Sequence, residues 1–81
     1  MLYNLPTTVQ ECNAMSCDDI QHGYILLTTD QKKEWLQAAG NAGCIRLTQP
    51  ADINAIQINV FDPTANDFSR CNWQDRDPFD T

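Results

Sequence analysis

Residues 53–61 have the sequence INAIQINVF, and this stretch decides the fold. Its apolar residues Ile56, Ile58 and Val60 alternate with polar residues. That two-residue period is typical of a strand with one buried face and one wet face. Such a strand needs neighbouring strands and a covering layer, so the sequence predicts a sheet with helices packed against it.

Two further strands are predicted from the sequence on either side. Residues 44–48 alternate in the same way, and with residues 54–61 they predict an antiparallel hairpin joined by a longer loop. Residues 24–28 begin with a continuous apolar run of strand length, which predicts another strand.

Helices are predicted over residues 8–16 and 29–39. Each starts at a threonine, Thr8 or Thr28, that is followed three residues later by Glu or Gln. This spacing is the pattern of a capping box. The predicted fold class is therefore α+β: a small, mainly antiparallel sheet, two helices and an irregular C-terminal segment.

The length of 81 residues and the mass of 9.2 kDa fit one domain. We expect residues 1–61 to form a compact α+β domain. Residues 62–81 hold five of the eleven acidic residues and three of the seven aromatic residues. We expect this acidic, aromatic segment to pack on the domain or to be ordered by a partner. The predicted core consists of Ile25, Leu26, Leu27, Trp35, Leu36, Ile45, Leu47, Ile56, Ile58 and Val60.

The charge balance disfavours several classes of function. Eleven Asp and Glu residues face five Lys and Arg residues, which gives a formal net charge of −6. This charge argues against direct binding to nucleic acid through its phosphates. The sequence has no apolar window long enough to span a membrane and opens with no export signal, so we expect a cytoplasmic protein without a membrane partner.

The four cysteines allow three interpretations. In a cytoplasmic protein we expect Cys12, Cys17, Cys44 and Cys71 to be free and to act as small apolar residues. A zinc site could use Cys12, Cys17, His22 and either Cys44 or Cys71, but the spacing is poor for such a site. Two disulfide bonds are the third alternative.

No set of catalytic residues emerges from the sequence. Cys17 and His22, the one histidine, are five residues apart, which is not a favoured helical spacing. The three glycines fit no phosphate-binding pattern. Asp75, Asp77 and Asp80 lie close together, but the glycine and the glutamate of a calcium loop are missing. We therefore expect no enzyme, no cofactor and no metal ligand.

These features favour a small acidic, non-enzymatic domain that binds a protein partner with a basic surface. The acidic and aromatic side chains of the C-terminal segment would make the contact, together with the wet side of the 53–61 strand. The candidate partner-binding residues are Asp62, Asp67, Phe68, Trp73, Asp75, Asp77, Phe79 and Asp80.

In size and charge the chain resembles compact acidic inhibitors that viruses of bacteria encode. Such inhibitors block a basic nucleic-acid-binding surface of a host CRISPR effector, nuclease or RNA polymerase, with carboxylates standing in for phosphates. One alternative is a structural or assembly subunit of a larger complex or virion, in which the strand bearing Gln57 and Asn59 adds to a neighbouring sheet edge. Another is a metal-binding module built from Cys and His.

Overall fold

The computed structural model describes residues 5–49, 54–76 and 78 of the chain. Its described strands form one antiparallel sheet in the order β1-β2-β3, with β2 in the centre. The predicted α+β class is therefore confirmed. In chain order the elements are α1 (Val9–Ala14), α2 (Cys17–Ile25), α3 (Thr29–Ala42), β1 (Ile45–Thr48), β2 (Ala55–Asp62) and β3 (Asp67–Arg76).

The alternating residues from Ala55 onward form the central strand β2. Ile56, Ile58 and Val60 are buried on the face that carries the helices, whereas Gln57 and Asn59 are half-exposed on the other face. Alternate residues of a strand point to opposite faces, so the sequence period alone placed these five side chains correctly.

The predicted helix 29–39 is present as α3, and it begins with the expected capping box. The Gln31 backbone N–H donates to Thr28 Oγ1 at 3.2 Å, and the Thr28 backbone N–H donates to Gln31 Oε1 at 3.0 Å. The helix runs three residues further than predicted and ends at Gly43, whose φ of 86° is left-handed. Glycine adopts this conformation without the steric cost that a Cβ atom would add.

The predicted helix 8–16 is divided into two helices. Thr8 caps α1 as expected, with the Glu11 backbone N–H donating to its Oγ1 at 3.1 Å. The first helix ends at Ala14, and Ser16 then caps α2 by accepting a hydrogen bond from the Asp19 backbone N–H. Ser16 starts a new helix because its side chain satisfies an otherwise unpaired backbone donor.

The strand predicted at residues 24–28 is wrong. Tyr24 and Ile25 form the end of α2, and Leu26 is its C-cap in a right-handed helical conformation. A short apolar run cannot by its pattern be told apart from a helix segment. Here Tyr24 lies one helical turn after buried Ile20, and both face the core.

The irregular segment predicted at the C-terminal end is also wrong for residues 67–76, which form β3. This strand pairs with β2 from Ala55 opposite Arg76 to Asp62 opposite Asp67, with an irregularity between Val60 and Asp62. It is also tied to the helices. The Arg70 guanidinium donates to the backbone oxygens of Cys12, at 2.9 Å, and Met15.

The core lies between the sheet and the three helices. Trp35 is fully buried, and its indole N–H donates to the Pro6 backbone oxygen at 2.7 Å. Of the predicted core residues, Ile25, Leu26 and Leu47 are instead exposed, because they lie at the end of α2 and on the edge strand β1. Buried apolar residues outside the predicted set are Leu5, Cys12, Ile20, Tyr24, Ala39, Cys44, Ala55 and Trp73.

All four cysteines form disulfide bonds. Cys12 in α1 is joined to Cys44, and Cys17 in α2 is joined to Cys71 in β3, with Cα atoms 5.9 and 6.2 Å apart. The expectation of free cysteines is therefore wrong, and no thiolate is left for a zinc site. The bonds connect residues 32 and 54 positions apart, so each helix of the first pair is attached covalently to a distant part of the chain.

None of the described helices has the length and apolar character that crossing a membrane requires.

Candidate binding surface

The sheet face turned away from the helices is the surface that the sequence analysis partly predicted. We call it the exposed sheet face. It spans all three strands, and its side chains are amides, a hydroxyl, two phenyl rings and a guanidinium. Its residues are Arg46, Thr48, Gln57, Asn59, Phe61, Phe68, Asn72 and Gln74.

Strand pairing aligns these residues in two cross-strand rows. Asn59 lies between Arg46 on β1 and Asn72 on β3. In the next row, Gln57 lies between Thr48 and Gln74. Side chains directly opposite each other in an antiparallel pair are about 5 Å apart at Cβ. The four amides therefore form one continuous patch across β2 and β3.

The amides on β2 and β3 differ in how far they are already hydrogen-bonded. The Asn59 amide donates to the Arg46 backbone oxygen and to Thr48 Oγ1, each at 3.2 Å. Asn72 and Gln74 are exposed, and their side chains form no hydrogen bond with the described part of the chain. Since each primary amide offers two donors and one acceptor, the β3 side of the patch has unused hydrogen-bonding capacity.

One end of the exposed sheet face carries an aromatic cluster. The rings of Phe61 and Phe68 meet edge to face, with centroids 5.4 Å apart. The guanidinium carbon of Arg46 lies over the Phe68 ring at 4.5 Å from its centroid, within the range of a cation–π interaction. Arg46 is exposed and makes no ion pair with any described residue. The cluster therefore holds a guanidinium in place while leaving its donors open.

The acidic candidates next to this cluster each accept hydrogen bonds within the chain through one carboxylate oxygen. Asp62 accepts hydrogen bonds from the backbone N–H groups of Thr64 and Ala65, at 2.9 and 3.3 Å, which fixes the turn after β2. The carboxylate of Asp67 accepts a hydrogen bond from the Ser69 hydroxyl. Asp62 and Asp67 are partners in the strand register, so both carboxylates belong to the β2–β3 hairpin.

Two other candidates point toward the helices instead of solvent. Trp73 is 7% exposed and packs against Tyr24, with ring centroids 5.7 Å apart. The carboxylate of Asp75 pairs with the Lys32 ammonium at 3.1 Å, and that ammonium lies 5.0 Å from the Tyr24 ring centroid. Trp73 therefore serves the core, and Asp75 attaches β3 to α3.

Asp77, Phe79 and Asp80 lie outside the described residues. Of the candidates, the structure therefore brings together Asp62, Asp67 and Phe68. Sequence reasoning missed Arg46, Phe61, Thr48, Asn72 and Gln74 as members of one surface. A signal for Asn72 and Gln74 existed, because they alternate with Cys71 and Trp73 as strand residues do.

The described residues form no cluster of the kind that holds a metal ion. Nowhere within residues 5–49, 54–76 and 78 do three His, Cys, Asp or Glu side chains converge as metal ligands would. The cysteine of the Cys17–His22 pair is oxidised in a disulfide, and His22 is exposed on α2. What the geometry offers is a contact surface.

Comparison with known proteins does not identify the family of this chain. The chain matches no known protein family, no curated protein and no solved structure.

Proposed function

We propose that this chain is a small non-enzymatic domain that binds a protein partner through its exposed sheet face. The observation that carries the proposal is the Arg46–Phe61–Phe68 cluster beside the two uncommitted amides of β3. Arginine and aromatic side chains are enriched at the energetic centres of protein interfaces, and asparagine supplies adaptable hydrogen bonds.

The rigidity of this face favours binding. Phe68 contacts both Phe61 and Arg46, so the side chains that would bury most area are already ordered before a partner arrives. Two disulfides further restrain the sheet against the helices. A surface that is ordered in the free protein loses less conformational entropy on binding, which favours affinity.

A protein partner fits the face better than single-stranded nucleic acid does. Base-stacking surfaces present open aromatic rings beside cationic grooves. Here Phe68 is in edge-to-face contact with Phe61 and has Arg46 over its ring. The formal charge of −6 also opposes a phosphate backbone.

A basic partner surface remains part of the proposal, because the net charge would attract it over long range. Phosphate mimicry by the C-terminal carboxylates has weaker support. Asp62, Asp67 and Asp75 already accept hydrogen bonds or an ion pair within the chain. An inhibitor that used Asp75 in a nucleic-acid site would have to break its ion pair with Lys32. Asp62 and Asp67 accept through Oδ1 alone, so each keeps a second oxygen for a partner.

The disulfide bonds also indicate the kind of compartment in which the chain would meet its partner. Free cysteines were expected because the protein was expected to be cytoplasmic, and all four cysteines are instead in disulfide bonds. Structural disulfides persist in oxidising compartments and are rare in the cytosol. We therefore propose that the domain works where disulfides form, which favours a partner in such a compartment over an intracellular nucleic-acid enzyme.

The proposal is tested by affinity capture with the oxidised full chain as bait and an extract of the cells that produce it. Asn72→Arg combined with Gln74→Arg places two long cations on the exposed sheet face. Gln37→Arg combined with Asn41→Arg makes the same exchanges on exposed positions of α3. The two double variants have the same composition and the same net charge.

We expect the native chain and the α3 variant to capture the same protein and the sheet-face variant to lose it. If both variants lose it, the change in charge decides binding and the sheet face does not. If the native chain captures no protein reproducibly, the proposed function is wrong.

A further inference from the structure

A second surface lies at the corner between α2 and α3. Ile25 and Leu26 are adjacent in the chain, and their side chains are 54% and 73% exposed, the highest values among the large apolar residues of the described chain. Ile25 also lines a shallow depression with Asp18, Gln21 and His22. Exposed apolar side chains that are contiguous mark interaction sites more often than scattered ones do.

The local conformation explains why these apolar residues face outward. Ile20 and Tyr24 are one turn apart on α2 and are buried. Ile25 follows Tyr24 by about 100° around the helix axis, which turns it away from the core. Leu26 is the C-cap, after which the chain reverses toward Thr28, the N-cap of α3.

This corner is acidic. Asp18 and Asp19 lie in the first turn of α2, and Asp30 lies in the first turn of α3. All three are exposed, and none forms an ion pair with a described residue. The ammonium of Lys32 is paired with Asp75, whereas Lys33, three residues after Asp30, makes no ion pair with a described residue. Asp18 therefore places a carboxylate beside Ile25, and Asp19 and Asp30 lie in the first turns of the two helices that meet at this corner.

We propose that the Ile25–Leu26 corner binds a basic amphipathic helix of a partner protein. The apolar face of that helix would cover Ile25 and Leu26, and its lysines or arginines would lie beside Asp18, Asp19 and Asp30. Helices of this kind dock by apolar anchors one turn apart, and the charges add specificity and attraction.

Charge complementarity selects this occupant over a second copy of the chain. Two copies meeting at this corner would bring their three unpaired carboxylates together, and each copy carries a formal charge of −6. Like charges across an interface oppose association. The corner is formed by the helices, whereas the exposed sheet face is on the other side of the sheet, so this proposal does not depend on that face.

Three synthetic peptides of about four helical turns test the inference by titration into the isotope-labelled, oxidised full chain, followed by NMR. The first has lysines on one face and leucines on the other. The second keeps the lysines but has glutamines in place of the leucines. The third keeps the leucines but has glutamates in place of the lysines.

We expect the lysine–leucine peptide alone to shift the amide signals of Gln21, His22, Ile25 and Leu26. Ile25→Ser combined with Leu26→Ser should weaken that binding about tenfold or more, since two apolar contacts are lost. Leu47→Ser, on the edge strand β1, is the control and should leave the affinity unchanged. Leu26→Ser alone supplies the same test with the least change to the fold, because that side chain is the most exposed of the three.

Three outcomes would overturn the inference. Equal binding of the lysine–glutamine peptide would mean that charge alone acts. Undiminished binding by the Ser variants would place the peptide elsewhere. A dimer in light scattering that Leu26→Ser converts to monomer would make a second copy the occupant. The Asn72→Arg and Gln74→Arg exchanges should not affect this binding, which separates its failure from failure of the proposed function.

Discussion

The guanidinium carbon of Arg46 lies 4.5 Å from the centre of the Phe68 ring, although the strands that carry the two residues, β1 and β3, are separated by β2. Phe61 on β2 joins the same cluster, because its ring meets that of Phe68 edge to face. Three strands thus contribute one residue each to a single cluster. This relationship gives the exposed sheet face its ordered centre.

The Arg46–Phe68 contact should give a measurable coupling free energy between the two side chains. In a double-mutant cycle on unfolding free energy, Arg46→Ala and Phe68→Ala should show a coupling of about 0.5–1 kcal/mol, as exposed cation–π pairs do. Thr48→Ala with Phe68→Ala is the matched control, since Thr48 bonds to Asn59 instead. Equal coupling in both cycles would show that the guanidinium has no specific interaction with the ring.

The end of α3 predicts opposite effects for the same substitution at two glycines. Gly43→Ala should destabilise the protein by about 1–2 kcal/mol because Ala is strained at a φ of 86°. Val9 Cγ2 would lie 3.6 Å from the new Cβ, so strain and not crowding sets the effect. Gly40→Ala, inside the helix with open space around it, should stabilise by about 0.5–1 kcal/mol. Denaturant unfolding of both variants measures this, and a destabilising Gly40→Ala would contradict the helix assignment there.

The structure predicts which cysteines are linked and which of the two disulfide bonds contributes more to the unfolding free energy. Peptide mapping without reduction should recover the Cys12–Cys44 and Cys17–Cys71 linkages. Replacing either pair with alanine should cost about 2–5 kcal/mol of unfolding free energy. The Cys12–Cys44 pair should cost more, because it is fully buried and its removal leaves a cavity, whereas Cys17 and Cys71 are half-exposed.

Recovery of any other pairing in that map would contradict the arrangement of α1 and α2 against the rest of the chain. A smaller loss for the Cys12–Cys44 pair would show that the core closes around the deleted sulfurs.

We predict that the Lys32–Asp75 ion pair stabilises the fold and takes no part in binding the partner. Both side chains are largely buried, with exposures of 20% and 24%. Asp75→Asn should lower the unfolding free energy by about 0.5–1 kcal/mol and should not change capture of the partner. Asp67→Asn, whose carboxylate bonds to Ser69 on the exposed hairpin, is the matched substitution. If Asp75→Asn abolished capture of the partner and Asp67→Asn did not, the Asp75 carboxylate would be part of the binding surface.

The parts of the fold that the sequence predicted are those where local pattern and tertiary packing agree. The alternation from Ile56 to Val60 arises because one face of β2 is buried, and α3 carries its capping box in the sequence. Residues 24–28 were misassigned because an apolar run of that length suits a strand and a helix end equally. The packing of the Tyr24 ring against Trp35 of α3, with centroids 5.6 Å apart, decides between the two.

The third strand and the disulfide pairing could not be predicted from residue spacing along the chain. Only Cys71 and Trp73 give β3 an apolar face, and the irregularity opposite Phe61 shifts its alternation at Arg70. The cysteines are paired across 32 and 54 positions by contacts between distant parts of the chain, which form only as the chain folds. For the same reason Arg46 and Phe68 could not be recognised in advance as neighbours.

The most direct measurement of the central claim is hydrogen–deuterium exchange of the oxidised chain, free and bound to the captured partner. Amide protection on binding should concentrate in β1 and β3, whose outer residues flank the Arg46–Phe61–Phe68 cluster and the two free amides, and exposed positions of α3 should be unchanged. Protection confined to α3, with β1 and β3 exchanging as in the free protein, would contradict the assignment of the exposed sheet face as the binding surface.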